Sequence, residues 1–136
     1  MITVLIPSNP EFKKYKTQIK NLYKKNQDKI CDPNTFSFII KNTFFYAFIL
    51  DGKFIGAIYF FIENEKLFLN AFALPKNHLA NLECLRMSLS WFIPPIYAEA
   101  QNRASALCLL RCGFRRVEGN LYCIKTSCLK SLCNSL

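Results

Sequence analysis

The chain of 136 residues is 51% hydrophobic and 20% charged, which excludes a disordered segment and leaves room for one core and one domain. Lysine and arginine number 18 against 9 acidic residues, and a net charge of +9 favours anionic partners: nucleic acid, an acidic membrane face or a phosphorylated small molecule. The longest unbroken apolar run, Phe44 to Leu50, falls far below the roughly 18 residues of a transmembrane helix, and no basic segment precedes the apolar start; no secretory signal is expected, and a cytoplasmic location is.

Ile2 to Ile6 reads as a first strand, ended by Pro7, Ser8, Asn9 and Pro10. Apolar residues then recur at Phe12, Tyr15, Ile19, Leu22 and Tyr23, a helical spacing with lysines on the other face. Seven lysines fall between positions 10 and 30, opposed by Glu11 and Asp28 alone, so this segment carries more than half of the net charge. It is either a solvated helix face or a docking face for an acidic macromolecule. Asp32-Pro33 predicts the start of a short second helix, with the carboxylate capping free amides, that runs to about Lys41 and buries Phe36, Ile39 and Ile40.

Thr43 to Leu50, Lys53 to Ile62 and Lys66 to Leu74 predict an antiparallel meander. Asp51-Gly52 is its first turn, a two-residue hairpin signal, and Glu63, Asn64 and Glu65 form its second. Apolar residues on both faces require cover on both sides, supplied by the flanking helices. A helix is predicted from about His78 to Phe92, with Leu82, Leu85, Leu89 and Phe92 on one stripe and Pro94 and Pro95 as its stop. Ile96 to Ala100 is a short strand. Asn102 opens a helix to about Arg111, capped in the left-handed region by Gly113, and Phe114 to Val117 and Leu121 to Lys125 close a hairpin around Gly119-Asn120. Residues 126 to 136 read as a frayed tail or a last helical turn.

The seven cysteines are odd in number, irregularly spaced and form no CxxC pair, so neither a disulfide framework nor a zinc site is expected. They read as buried, reduced thiols in a reducing compartment. His78, the single histidine, is either a base or anion contact or a loop residue without special part.

The order of strand, helix, helix, three strands, helix, strand, helix, hairpin predicts an α+β fold of the three-layer sandwich type. Its sheet is mixed and mostly antiparallel, with about six or seven strands flanked by helices in one domain over residues 1 to 136. The strand, helix, strand crossover calls for a parallel or splayed pair between Lys66 to Leu74 and Ile96 to Ala100. That order, with Asn102, Ser105 and Gly113-Phe114 at their spacings, resembles the GNAT superfamily of acetyl-CoA-dependent N-acyltransferases. The resemblance covers nearly the full chain in element order. The same residues are also ordinary helix punctuation, an Asn N-cap and a Gly C-cap.

The resemblance implies acetyl-CoA as co-substrate, without a metal, and transfer of its acetyl group to a primary amine by direct attack in a ternary complex. It implies cofactor contacts at Ala73, Leu74, Lys76, His78, Leu79, Ala80, Asn81 and Asn102, the last beside the pantetheine arm. Two departures stand out. The family's pyrophosphate loop carries glycines that let backbone amides approach the phosphates, whereas residues 76 to 81 contain none. The family's tyrosine acid, seven residues after the motif Asn, is Leu109 here, leaving water or Ser105 for that role.

An alkyl ammonium must lose a proton before it attacks a thioester. Glu99, at the end of its strand, is the preferred base, directly or through water; Glu83 and His78 follow, and Glu99 as a rim carboxylate without catalytic part is the alternative. The acetyl oxyanion would meet a backbone amide near Phe72 to Leu74. Other readings are a non-catalytic module that keeps the fold, a basic toxin-like acetyltransferase acting on aminoacyl-tRNA, and a nucleic-acid-binding domain that rests on net charge alone.

Overall fold

The computed structural model describes residues 1 to 125. In chain order it contains β1 (Ile2–Leu5), α1 (Phe12–Asn26), α2 (Phe36–Asn42), β2 (Phe44–Leu50), β3 (Lys53–Glu63), β4 (Lys66–Ala73), a 3-10 turn (Pro75–Asn77), α3 (His78–Leu89), β5 (Ile96–Glu99), α4 (Arg103–Arg111), β6 (Arg115–Glu118) and β7 (Leu121–Ile124). The seven strands form one sheet in the order β1-β2-β3-β4-β5-β7-β6. β4 and β5 run parallel, and β1/β2, β2/β3, β5/β7 and β6/β7 are antiparallel. The α+β class, the mixed sheet and the element order are those read from the sequence. Among the described residues, no helix is long and apolar enough to cross a membrane.

Two compact units divide the described residues: Met1–Phe61 with Asn70–Asn81, and Ile62–Leu69 with the residues from Leu82 onward. In the first, α1 buries Phe12, Tyr15, Ile19, Leu22 and Tyr23, the stripe its spacing predicts. Phe45 and Tyr59 stack with centroids 5.9 Å apart, and Phe12 meets Phe45 edge-on at 6.1 Å, so rings rather than aliphatic chains fill much of this core. Phe54 to Phe60 of β3 are buried without a break, as a strand covered on both faces must be. Asp51 (φ 49°) and Gly52 (φ 81°) turn β2 into β3 with both central residues in the left-handed region. Asn64 (φ 52°) and Glu65 (φ 64°) repeat that turn between β3 and β4 without a glycine.

The second helix departs from expectation. It begins at Phe36, and its cap is Thr35, whose hydroxyl accepts from the Phe38 N–H. Asp32 lies further back and is buried, with its carboxylate turned inward. Pro33 sits outside the helix, and Ile40 is only half-buried.

In the second unit, β5, β7 and β6 form the closing ladder, with Tyr97 opposite Cys123 and Cys123 opposite Arg115. α3 stops at Leu89, before the predicted Phe92 and ahead of the prolines. There the Ser90 and Trp91 amides tighten onto Met87 and Ser88, and the Ser88 and Ser90 hydroxyls donate to the carbonyls of Leu85 and Met87. α4 ends as predicted on Gly113 (φ 98°), with Phe114 N–H donating to Leu109 O and Gly113 N–H to Leu110 O; the buried Phe114 and Leu109 complete the motif. Cys84, Cys112 and Cys123 are buried and Cys108 half-buried, but Cys31 is exposed, because it lies in the loop between α1 and α2 rather than on a core-facing helix or strand. Cys128, Cys133 and the predicted tail lie outside the described residues.

Candidate active site

The turn from β4 into α3 holds most of the residues expected to contact the cofactor. Ala73, Leu74, Lys76, His78 and Leu79 are exposed there, and Ala80 and Asn81 are half-buried. Pro75 opens the 3-10 turn, and His78 begins α3. The first turn of α3 carries no acidic residue, so the positive end of the helix dipole faces no competing charge, while Lys76 and His78 stand exposed beside it. That donor set suits a phosphate.

No glycine lies within this turn, but one lies under it. Gly56 of β3 has no room for a side chain: a β-carbon there collides with Asn81 Oδ1 and comes within 3.1 Å of Ala73 Cβ and Phe72 O. The close approach is fixed through a single carbonyl. Ile55 O accepts from the Leu74 N–H at 2.9 Å and from Asn81 Nδ2 at 3.3 Å, and Asn81 Nδ2 also reaches Asn77 O at 3.0 Å. Ile55 is the unpaired residue of a β-bulge, since Phe48 pairs with Gly56 and Ile49 with Phe54. The Asn81 side chain therefore anchors α3 to β3, and the Leu74 amide is committed to the strand. An isolated glycine inside an apolar strand was the sequence signal for this approach.

Glu99 and Asn102 belong to the second unit. Glu99 is exposed at the end of β5 and accepts from Gln101 Nε2 at 3.3 Å. Asn102 Oδ1 accepts from the Ser105 N–H at 2.9 Å, so the side-chain oxygen caps α4. Leu109, at the position of the expected acid, is buried. The parallel pairing of β4 with β5 spans Leu67 opposite Ile96 and Phe68 opposite Tyr97. Phe68 and Tyr97 lie 5.6 Å apart between ring centres, and Lys66 Nζ sits 5.2 Å from the Tyr97 ring centre. Cys123, opposite Tyr97 on β7, raises its phenol above the ordinary value of 10.0.

Of the alternative bases, His78 and Glu83 are both exposed on α3. Cys84, next to Glu83, is pushed up to about 11 by burial and then by the Glu83 charge, which keeps its thiol protonated.

A buried polar network in the first unit was not foreseen. Asp32 Oδ2 accepts from the Tyr59 hydroxyl at 2.6 Å, and Asp32 Oδ1 accepts from the backbone N–H and side-chain Nδ2 of Asn34, both at 2.9 Å. Asn70 Nδ2 donates to the Tyr59 oxygen at 3.1 Å, and the Tyr23 hydroxyl donates to Asn34 O at 2.7 Å. Burial, reinforced by the Asp32 charge, raises the phenols of Tyr59 and Tyr23 well above their ordinary value of 10.0. A buried carboxylate satisfied wholly by neutral donors leaves no periodicity in a sequence, so Asp32 read there as a surface cap.

No family model matches the sequence, and no curated protein matches it. Solved structures do match. A GNAT-family acetyltransferase from Bacillus anthracis aligns with a TM-score of 0.66 at 18% identity over 91% of this chain and 94% of its own. A probable acetyltransferase from Staphylococcus epidermidis aligns at 0.68 and 11% identity over 93% and 99%. The Campylobacter jejuni N-acetyltransferase PseH, solved with acetyl coenzyme A, aligns at 0.61 and 14% identity over 93% and 100%.

The chain has the GNAT fold.

Within the GNAT fold this chain keeps the parallel β4/β5 pair and the capped α4. Its β4 to α3 turn contains no glycine, and Gly56 of β3 leaves the space that Asn81 occupies.

Proposed function

We propose that residues 1 to 136 form a single cytoplasmic N-acetyltransferase domain that moves an acetyl group from acetyl-CoA to a primary amine by direct attack in a ternary complex. The observation that carries this reading is the exposed, acid-free first turn of α3, held from below by the Ile55 carbonyl, in a fold that PseH carries with acetyl coenzyme A. The amides at His78 and Leu79, with Lys76 and His78, take the pyrophosphate, and the neighbouring positions Ala73, Leu74, Ala80 and Asn81 shape the turn. Asn102 borders the pantetheine arm. When bound, acetyl-CoA supplies the activated acetyl group.

Glu99 accepts the ammonium proton, directly or through water, and the freed nitrogen forms its bond to the acetyl carbon as the carbon–sulfur bond breaks. The second amine proton leaves for the sulfur, so coenzyme A departs as a thiol. Charge on the acetyl oxygen would meet a backbone amide near Phe72 to Leu74, of which the Leu74 N–H already donates to Ile55 O. Calorimetry with acetyl-CoA tests the reading: saturable binding is expected, and no heat at millimolar ligand overturns it. A non-catalytic module would bind coenzyme A and release no thiol with any amine.

A second reading concerns α1, which carries Lys13, Lys14, Lys16, Lys20, Lys24 and Lys25 and no acidic residue. Lys13 and Lys14 lie in the first turn, where the helix dipole disfavours cations by about 0.3–1 kcal/mol each, and Glu11 makes no side-chain cap there. Charge placed against stability favours a role in docking an acidic macromolecule such as a transfer RNA. Affinity for RNA that falls steeply with salt is expected, and a flat salt response overturns this reading.

A further inference from the structure

One strip of the second unit has a charge order that acetyl transfer by itself does not require. Side chains two apart on a strand share a face, so Lys66 and Phe68 lie together on β4, and Tyr97 and Glu99 on β5. The parallel register sets Phe68 beside Tyr97 and brings all four residues to one side of the sheet. Contact confirms the placement: the two rings are 5.6 Å apart, and the Lys66 ammonium stands 5.2 Å from the Tyr97 ring centre. Lys66 and Glu99 are exposed, and the rings between them are half-buried. Read back from the end of β5, the strip runs carboxylate, rings, ammonium. Tyr97 and Glu99 are separated by roughly 7 Å along the strand, and this sets the spacing between the carboxylate and the ammonium held over Tyr97. Lys66 forms no ion pair among the described residues.

We propose that this strip selects the acceptor, and that the acceptor is an extended amino carboxylate: a primary amine and a carboxylate about 7 Å apart across an apolar spacer. The amine lies toward Glu99, the spacer crosses Phe68 and Tyr97, and the carboxylate pairs with Lys66. The proposal rests on the acetyl-transfer reading and names its substrate class. Charge complementarity carries it. A plain alkylamine leaves Lys66 without a counter-ion, and a diamine sets a second cation against it. The net charge of +9 further disfavours diamines and other polycations against this net-neutral acceptor.

The test compares 5-aminopentanoate, pentylamine and 1,5-diaminopentane with the full chain, measuring acceptor binding by ligand-observed NMR and, separately, thiol release from acetyl-CoA. 5-Aminopentanoate is expected to bind about tenfold more tightly than pentylamine, and the diamine more weakly than either. Lys66→Gln should bring the 5-aminopentanoate to pentylamine ratio close to one, Lys66→Arg should retain most of it, and Lys41→Gln, an exposed lysine on α2, should leave it unchanged. Equal binding of the two acceptors, no binding of 5-aminopentanoate, or a ratio indifferent to Lys66→Gln overturns the proposal. Lys66-dependent binding with no thiol released from any acceptor upholds the strip and overturns the transferase reading. Thiol release that is equal for both acceptors does the reverse.

Discussion

Gly56 and Asn81 occupy each other's space: the hydrogen of Gly56 faces Asn81 Oδ1 where any β-carbon would collide with it. The pair lets α3 approach β3 closely enough for Asn81 Nδ2 to reach Ile55 O. Gly56→Ala should therefore push Asn81 off Ile55 O, costing about 1–3 kcal/mol by overpacking and weakening acetyl-CoA binding. Asn81→Ala in the same chain removes the colliding atom. A double-mutant cycle in urea should show the two changes to be non-additive, and additive effects would mean that they do not share this contact.

Asn102→Ala removes the α4 cap and should destabilise the chain by about 1 kcal/mol, with Asn102→Ser close to neutral. If Asn102 also borders the pantetheine arm, Asn102→Ser will raise the KM for acetyl-CoA while leaving the unfolding midpoint in place. An unchanged KM assigns Asn102 to the helix cap alone.

The buried phenols make stability fall in alkali. Because Tyr59 and Tyr23 titrate higher folded than unfolded, the folded chain holds protons that the unfolded chain gives up. Their contribution is complete below the unfolded value of 10.0 and is lost above it, at about 1.4 kcal/mol per pH unit for each group. Tyr59→Phe should flatten the alkaline limb of the unfolding free energy against pH. It should also destabilise the chain near neutrality by about 1–3 kcal/mol, by taking a donor from the buried Asp32 carboxylate. Chemical denaturation from pH 7 to 11 measures both.

Glu65 holds a left-handed conformation that costs an L-residue with a side chain roughly 1 kcal/mol over glycine. Glu65→Gly should recover most of that and raise the thermal midpoint, since Asn-Gly is the preferred sequence for this turn. A lowered midpoint would show that the Glu65 side chain is itself a stabilising contact.

Most of the fold was legible because it rests on local signals. The α1 stripe, the Asp51-Gly52 turn and the Asn102 and Gly113 caps each act within a few residues of themselves, and the structure places all of them as read. What escaped depends on partners far along the chain. Asp32 looked like a cap because Asp-Pro commonly opens a helix, but Tyr59, 27 residues away, offers it a buried donor, and Thr35 takes over the cap. The support of the β4 to α3 turn was hidden for the same reason, since Gly56 and Asn81 meet only after β3 and α3 pack.

Unbroken burial of β3 from Phe54 to Phe60 has one more consequence. Where both faces are apolar, a slip by one residue exchanges one hydrophobic set for another and meets little penalty from burial, so alternation does not police the alignment of this strand. The alignment is dictated instead by the Asp51-Gly52 turn and the bulge at Ile55. Moved by one position, β3 would present the wrong carbonyl to Leu74 and Asn81 and a β-carbon where only hydrogen fits. The geometry of the α3 entrance is thus inherited from a hairpin turn 26 residues upstream of His78, and errors made there during folding would surface as a misplaced β4 to α3 turn in an otherwise well-packed molecule.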